Sequence, residues 1–437
     1  MLRIGGKTLR QRLAYRLRQL LLRPLAPEAL LGRDEIDPDP DLLNTAVRGR
    51  TIVVTGAGGS IGKEICRQLL NLGPLRIILL DLSEAALFSI HDELKFSCTG
   101  LADPPDIVPV LGSVGNARTL GRVFHQFDVD AVFHAAAYKH VGMIEDNLLA
   151  GVENNLLGTL ELTKAAICAA VPDFVLVSTD KAVDPKSVMG KTKRAAEVVC
   201  TELCKTTPTR ATIVRFGNVL GSSGSVLPRV LGQIERGGPV LLTDPSARRV
   251  FMSSREAALL VIQACGLGGR GGTFALKVGN PLRISDLLQT ILTHRFRMYW
   301  LAKLFGLIPR IQIVGPGQAE KQIEADLVPR NAIATCHPFI WEVGQSDDSD
   351  TSACDMIGLL EKAVATGSET AAMEVLAAML EAEYAKDGSS PSTMQLTAFS
   401  TGRSAAHAAA SGPMVDMLRP PIFLPPEPRN DGRMIGH

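Results

Sequence analysis

Two short stretches concentrate the groups able to move protons: Ser178–Val183, which reads STDKAV, and Met189–Lys193, which reads MGKTK. Asp180 and Lys181 are adjacent, and an elimination needs an acid for the departing group and a base for the leaving proton side by side. The same pair in an exposed turn would be a plain ion pair, so the surrounding elements decide between the two. Residues 173–178 read as a strand that delivers Thr179, Asp180 and Lys181 to its carboxyl end, and a helix beginning near Val188 carries Lys193. A second stretch, Thr51–Arg67, reads TIVVTGAGGSIGKEICR. Ile52, Val53 and Val54 form a β-branched run typical of a buried parallel strand, and Lys63 onward reads as helix. Between them Gly56 permits a tight turn, Gly59 admits backbone N–H groups to a pyrophosphate, and Gly62 lets helix pack closely on strand. The helix N-terminus adds a partial positive charge. A following strand, Arg76–Leu80, ends in Asp81, where an acid holds ribose hydroxyls. This context marks a dinucleotide site rather than a glycine-rich turn.

The elements that must position these groups alternate. Strands are expected at 51–55, 76–81, 107–112, 130–135, 173–178 and 210–216, with helical patterns such as Ser83–Lys95 and Val152–Ala170 between them. Such alternation builds a parallel sheet covered on both faces, and ligands bind beyond the carboxyl ends of its strands. After Gly217 the alternation gives way to glycine-rich loops and single strands such as Phe274–Val278, the composition of a smaller irregular lobe. The expected division is a basic leader and linker at 1–48 and a nucleotide-binding domain at 49–216, with later segments returning to it. A mainly substrate-binding lobe follows at 217–345, then C-terminal helices at 346–385 and a Ser/Thr/Ala/Pro-rich disordered tail at 386–437.

A chain of 437 residues is long enough for a well-buried core, and its net charge of +1 argues against a nucleic-acid partner. The eight cysteines lack disulfide-framework spacing, which fits reduced thiols in a cytoplasmic protein. Cys200 and Cys204 share a helix face without further ligands beside them, and His91, His125 and His134 read as packing or surface residues, so no metal site is expected. No apolar run reaches membrane-spanning length. The leader carries Arg3, Lys7, Arg10, Arg12, Arg16, Arg18 and Arg23 before its first acid, Glu28. Two readings stand: residues 1–25 lie peripherally on an anionic membrane, or they pack on the protein.

In the short-chain dehydrogenase/reductase superfamily the strand end carries Ser or Thr and the next helix carries Tyr-x-x-x-Lys, a spacing that puts both groups on one helix face. Here Met189 stands at the tyrosine position, Lys193 lies four residues further on, and Asp180 and Lys181 are added to the strand end. Together with AAAYKHV (135–141), NLLGT (155–159) and RFGNVLGSSGSVLP (215–228), these residues make the chain resemble the polysaccharide-biosynthesis branch of UDP-N-acetylglucosamine 4,6-dehydratases from about Leu25 to about Tyr384. The resemblance implies an α/β fold, a doubly wound parallel Rossmann sheet with a smaller substrate-binding lobe. It implies a hydro-lyase that takes a hydride from sugar carbon 4 onto NAD or NADP, eliminates water across carbons 5 and 6, and returns the hydride to carbon 6. Its implied catalytic set is Thr179 on the carbon-4 oxygen, Asp180 as acid, Lys181 as base, Met189 in place of tyrosine and Lys193 on the nicotinamide ribose. The cofactor set is Gly56, Gly59, Ser60, Ile61, Gly62, Asp81, Ala135, Ala136, Asn155 and Lys193, with NAD favoured because Asp81 would repel a 2′-phosphate.

The implied UDP-sugar contacts are Lys139, Asn218, Arg249 and Glu320. Arg249 matches a diphosphate-binding arginine, a role suited to a forked guanidinium. Two departures touch this site. GPGQAEK (315–321) puts Gly317 where the family's G-x-R-P-G-E-K loop has arginine, and THRFRMYW (293–300) reads as an insertion whose arginines, or Arg310, stand as substitutes. The longer relatives carry transmembrane helices and an extra domain before this region, so the resemblance implies the soluble catalytic part behind a short basic leader, as a homo-oligomer. Two other classes compete. A nucleotide-sugar 4-epimerase would need a carbon-4 base and no Asp-Lys pair, and a non-catalytic cofactor- or sugar-nucleotide-binding protein would accommodate Gly317 and the insertion.

Overall fold

The computed structural model describes residues 22, 25, 30–269, 271–296, 298–315, 327–329, 331–344 and 356–386. Most of the leader, the 386–437 tail beyond Lys386, Gly317 and Glu320 lie outside the described residues.

Six parallel strands carry the centre: β1 (Thr51–Thr55), β2 (Arg76–Asp81), β3 (Asp106–Leu111), β4 (Ala131–His134), β5 (Asp173–Val177) and β6 (Arg210–Arg215). Three more, β7 (Gly272–Leu276), β8 (Ile333–Ala334) and β9 (Ile340–Val343), complete a nine-stranded sheet in the order β8-β9-β7-β6-β5-β4-β1-β2-β3. β7 runs parallel to β6, whereas β9 pairs antiparallel with β7 and β8 antiparallel with β9. The strand expected in the lobe at Phe274–Val278 is therefore an inner strand of the main sheet. Its Phe274, Ala275 and Leu276 are buried, and burial on both faces is what a parallel sheet demands.

Helices α1 (Pro40–Val47), α2 (Ser60–Leu70), α3 (Glu84–Cys98), α4 (Ala117–Gln126), α5 (Gly158–Cys168), α6 (Val188–Lys205), α7 (Val226–Arg236) and α8 (Ser254–Gly266) follow in chain order. α9 (Ile284–Arg295), α10 (Tyr299–Leu304), α11 (Ile357–Ala365) and α12 (Glu369–Lys386) complete them. The sequence places side-chain caps where helices must start: Ser83 for α3, Asn116 for α4, Ser187 for α6, and Ser253 with Glu256 as a capping box for α8. The helical pattern Val152–Ala170 is not uniform, because Val152–Leu157 winds as a π-helix before α5. Such a turn inside a helix is often tied to function.

The core divides by face. One cluster joins β1, β2 and β7 to α2, α3 and α8, and another joins β4 and β5 to α4, α5 and α6. A third packs α11 and α12 on α6 through Met189, Leu360, Leu376 and Leu380. The linker is fastened onto α8: Arg33 pairs with Glu256 at 2.5 Å, the Asp39 N–H donates to Gln263 at 2.6 Å, and a Cβ on Gly266 would stand 2.1 Å from the Leu42 carbonyl oxygen. Leu22 and Leu25 pack against the lobe core of α7, α9 and the short strand Val240–Leu242, which places these two leader residues on the protein.

Candidate active site

β1 is flanked by β2 on one side and β4 on the other, and their connections leave in opposite directions, so a crevice opens beyond their carboxyl ends. Gly56 turns the chain there with φ +63°, and a Cβ on it would lie 2.7 Å from the backbone of Ala136. A Cβ on Gly62 would lie 2.1 Å from the Gly56 carbonyl oxygen, so α2 rises directly off the turn. Gly59 stands at the N-cap of α2 and brings no side-chain cap, unlike the serines and asparagine that cap α3, α4 and α6. The first N–H groups of α2 are thus left for a ligand to satisfy. A glycine-walled cradle closed by a helix N-terminus fits a dinucleotide pyrophosphate.

Asp81 ends β2 beside this turn, accepting from the Gly58 N–H at 2.8 Å and from the Ser83 N–H at 2.8 Å. Each carboxylate oxygen keeps a second lone pair for a ribose hydroxyl. Ala135 and Ala136 follow β4, and their N–H groups donate to Thr55 at 3.1 and 3.4 Å. Ile61 packs on the core from the half-buried start of α2, while the Ser60 hydroxyl accepts from the Ser223 N–H at 3.0 Å. That last contact ties the glycine-rich 221–225 loop to the cofactor cradle. Asn155 sits in the π-helix, fully buried, and its amide exchanges hydrogen bonds with both backbone groups of Tyr138 at 2.7 and 2.9 Å. Its side chain is thereby spent on holding the 135–141 loop in place.

The proton-moving residues lie at the end of β5. Thr179 is extended and caps a 3₁₀ turn at Asp180–Ala182; its hydroxyl donates to Asp180 Oδ1 at 2.8 Å. Lys181 Nζ donates to the same oxygen at 2.9 Å. The Asp180 side chain is 1% exposed and that of Lys181 32%, so the acid is inside and the amine at the rim. Gly190, at the start of α6, is pressed so closely on this turn that a Cβ would meet the Lys181 carbonyl oxygen at 2.4 Å. Met189 is buried among Val188, Leu360 and Leu376, an apolar setting that suits a thioether better than a phenol. Lys193 is buried and donates to the Val177 carbonyl at 2.8 Å, leaving further N–H donors for a ribose. Burial pulls its pKa down to about 8, with Glu197 partly opposing.

Two supports lie beneath the strand ends: Glu197, which the sequence does not single out, and His134, which reads there as a packing or surface residue and is buried. Glu197, buried, accepts from Arg215 at 3.0 and 2.6 Å, from Arg194 at 3.1 Å and from the Ser178 hydroxyl, so β5, β6 and α6 meet on one carboxylate. Burial alone would raise its pKa, but the Arg215 and Arg194 charges and these hydrogen bonds outweigh it and hold it down to about 2. His134, buried at the end of β4, joins Thr55 of β1 at 2.7 Å to Thr159 of α5 at 2.8 Å. Glu197 follows Lys193 at four residues, the one cue in the sequence that the two share a helix face.

The sugar-side candidates are more dispersed. Lys139 follows β4 on an exposed loop, and partial burial of its ammonium lowers its pKa. Asn218 opens the two-residue strand Asn218–Val219, whose partner is Phe251–Met252, and Arg249 lies in the preceding Arg248–Arg249 strand. The Asn218 N–H donates to the Val250 carbonyl at 3.1 Å, so this short pairing brings the two candidates to one edge of the lobe.

The fold and its cradle define an extended short-chain dehydrogenase/reductase. The chain belongs to the polysaccharide biosynthesis protein family, whose profile matches residues 52–339. It is 44% identical over 272 residues to the capsular polysaccharide biosynthesis protein CapD of Staphylococcus aureus, covering 62% of this chain and 45% of that protein. The chain therefore spans about half the length of that curated relative. It is also 31% identical over 280 residues to the UDP-glucose 4-epimerase of Rickettsia akari, covering 63% of this chain and 77% of that one. Among solved structures, Pen from Bacillus thuringiensis superposes with a TM-score of 0.59 at 27% identity, covering 69% of this chain and 89% of that one.

Proposed function

We propose that this protein is a UDP-N-acetylhexosamine 4,6-dehydratase, with UDP-N-acetylglucosamine the first substrate to try, and that its product feeds surface polysaccharide synthesis. The observation that carries the reading is the Asp180–Lys181 pair, joined at 2.9 Å at the end of β5 with the Thr179 hydroxyl on the same carboxylate oxygen. The nicotinamide, when bound, accepts a hydride from sugar carbon 4 and returns it to carbon 6. Thr179 orients the carbon-4 oxygen, and Lys181, at the open rim, removes the carbon-5 proton. Asp180 takes a proton from the Lys181 ammonium across their 2.9 Å contact, which frees Lys181 to act as base, and gives that proton to the departing 6-hydroxyl, which leaves as water. Lys193 holds the nicotinamide ribose through donors that Val177 leaves unused, and Asp81 holds the adenine ribose.

A 4-epimerase remains the competing reading, favoured by the Rickettsia akari match. An epimerase shuttles hydride at one carbon and has no use for an acid beside a base at a strand end, and Met189 cannot act as a carbon-4 base. Incubating the purified protein with UDP-N-acetylglucosamine and NAD separates these readings by mass. Loss of water supports the dehydratase, an isobaric product the epimerase, and cofactor binding without turnover a binding protein.

The Asp81 carboxylate is already anchored by two backbone donors, so it cannot swing away from a 2′-phosphate. Fluorescence titration is expected to find NADH bound at least about fivefold more tightly than NADPH, since repulsion at close range is worth on the order of 1 kcal/mol or more. Tighter NADPH binding would remove that role for Asp81.

A further inference from the structure

The loop after β4 carries Tyr138 and Lys139 and runs straight into a short helix, Val141–Glu145. Two bonds fasten this segment to α6. Asn155, which holds both backbone groups of Tyr138, also donates from its amide nitrogen to the Thr192 hydroxyl at 3.2 Å. Glu145, at the end of the short helix, accepts from the Val188 N–H at 2.8 Å. Val188 is the first residue of α6, and the first N–H groups of a helix have no partner within it. Ser187 takes the Gly190 N–H at 3.0 Å, so the Val188 donor falls to Glu145. A carboxylate at a helix N-terminus is also favoured by the helix dipole. The short helix is itself seated: Ile144 is buried, and a Cβ on Gly151 would stand 2.6 Å from its side chain.

The spacing of the two ties bears on the site. Val188 and Thr192 are four residues apart and share one face of α6, and Met189 and Lys193, each the next residue, share the adjoining face. The Thr192 hydroxyl donates in turn to the Met189 carbonyl at 2.9 Å, which links the two faces. One residue further, Gly190 lies against the Lys181 carbonyl. The turn of α6 that Glu145 holds therefore bears on both Lys181 and Lys193, while the other end of the same segment carries Lys139. Burial lowers the pKa of Lys191 on this turn, and the Glu145 and Glu381 charges oppose it, so Glu145 contributes a charge here as well as an acceptor.

We propose that Glu145 is a positioning residue: its bond to the first turn of α6 holds the loop bearing Lys139 in register with the helix bearing Lys193. Sugar and nicotinamide then meet over the Asp180–Lys181 turn at the separation that hydride transfer needs. A reacting pair displaced by about 1 Å loses on the order of 10²-fold in rate. The proposal rests on the reading of a UDP-sugar enzyme that begins by passing a hydride from carbon 4 to the nicotinamide, a step the dehydratase and the epimerase share.

Stopped-flow mixing of the NAD-loaded full-length protein with UDP-N-acetylglucosamine reads that step as the appearance of reduced nicotinamide. Glu145→Ala is expected to slow it by about 10²-fold, while the Kd values for NADH and for UDP stay within about threefold of the parent. Glu145→Gln keeps an oxygen acceptor of the same reach and should restore the rate to within about threefold of the parent. A role in stability alone would lower the melting temperature of Glu145→Ala and leave the hydride rate of the folded protein unchanged. Should Glu145→Ala not fold, Glu145→Asp, shorter by one methylene, decides, with a rate about tenfold below the parent expected. Three results overturn the proposal: the parent's hydride rate in the variant that decides, no recovery in Glu145→Gln, or the same loss from Asp146→Asn at the exposed neighbouring position. Product mass judges the dehydratase reading separately. An isobaric product with a hydride rate that depends on Glu145 would end that reading and keep this proposal, and a parent that moves no hydride would end both.

Discussion

Lys181→Ala is expected to bind UDP-N-acetylglucosamine and NAD while losing solvent-deuterium exchange at carbon 5 together with product. The Lys181 amine stands at the rim and touches Asp180 Oδ1, so its removal takes away the base without opening the core. Asp180→Asn keeps the size and the Thr179 contact but cannot supply the proton in the same way. It should accumulate a 4-keto sugar that still carries its 6-hydroxyl, which mass spectrometry distinguishes from the dehydrated product. Loss of one positioned acid or base typically costs on the order of 10²–10⁴ in rate, so both defects should be large. Met189→Leu should be mild, because Met189 belongs to a buried apolar cluster that also contains Leu360 and Leu376. Met189→Tyr would place a phenol in that cluster and tests whether a proton-exchanging group is tolerated there. Wild-type turnover by Lys181→Ala would end the proposed division of labour, and the dehydratase reading with it.

The inner strands were legible because each is a short apolar run bounded by turn residues, and β1 and β2 fall on the expected residues. Caps such as Ser83 and Ser187 fixed helix starts for the same local reason. The sheet's far edge was not legible. β7 and β9 follow long irregular stretches, and nothing local says that Phe274 and Ile340 return to a sheet begun over two hundred residues earlier. The glycine cradle and the Asp180–Lys181 turn could be located because their chemistry is contiguous in sequence. The groups that hold them could not. Glu197 gathers Ser178, Arg194 and Arg215 from three elements, and His134 joins Thr55 to Thr159 across two. Read one at a time these are a helix glutamate and a strand histidine, and only tertiary packing gives them a task. Asn155 illustrates the converse: the sequence pattern suggests a cofactor contact, and what the packing adds is that its buried amide bonds both backbone groups of Tyr138.

Acid is expected to weaken the fold in two stages, set by His134 and then by Glu197. Burial, with the Lys193 charge adding to it, pushes the His134 pKa down to about 3, against roughly 6.5 for a free histidine. Below pH 6.5 the unfolded chain takes up a proton that the folded one refuses. Stability therefore falls as pH drops through that window, by about 1.4 kcal/mol per unit, or about 2 kcal/mol by pH 5. Glu197 works in the same direction lower down. Its folded pKa of about 2 lies below the usual carboxylate value, so its contribution is complete above pH 4.5 and is lost as pH falls toward 2. That second loss is on the order of 3 kcal/mol. Urea titrations at pH 7, 5.5 and 4.5 should show the first decline in the wild type. His134→Gln, though less stable at pH 7, should decline less steeply, the remaining slope coming from His91 and His337, which burial also holds below the ordinary histidine value. Glu197→Gln leaves the Arg215 and Arg194 charges without their carboxylate, a change that typically costs about 3–5 kcal/mol for a buried pair. It should reduce the decline below pH 4.5, leaving the part owed to Glu93, which Arg67 holds down, and to Glu256, whose burial is outweighed by Arg33 and backbone N–H donors. Equal wild-type stability at pH 7 and pH 5 would show that His134 is not the buried neutral latch between β1, β4 and α5.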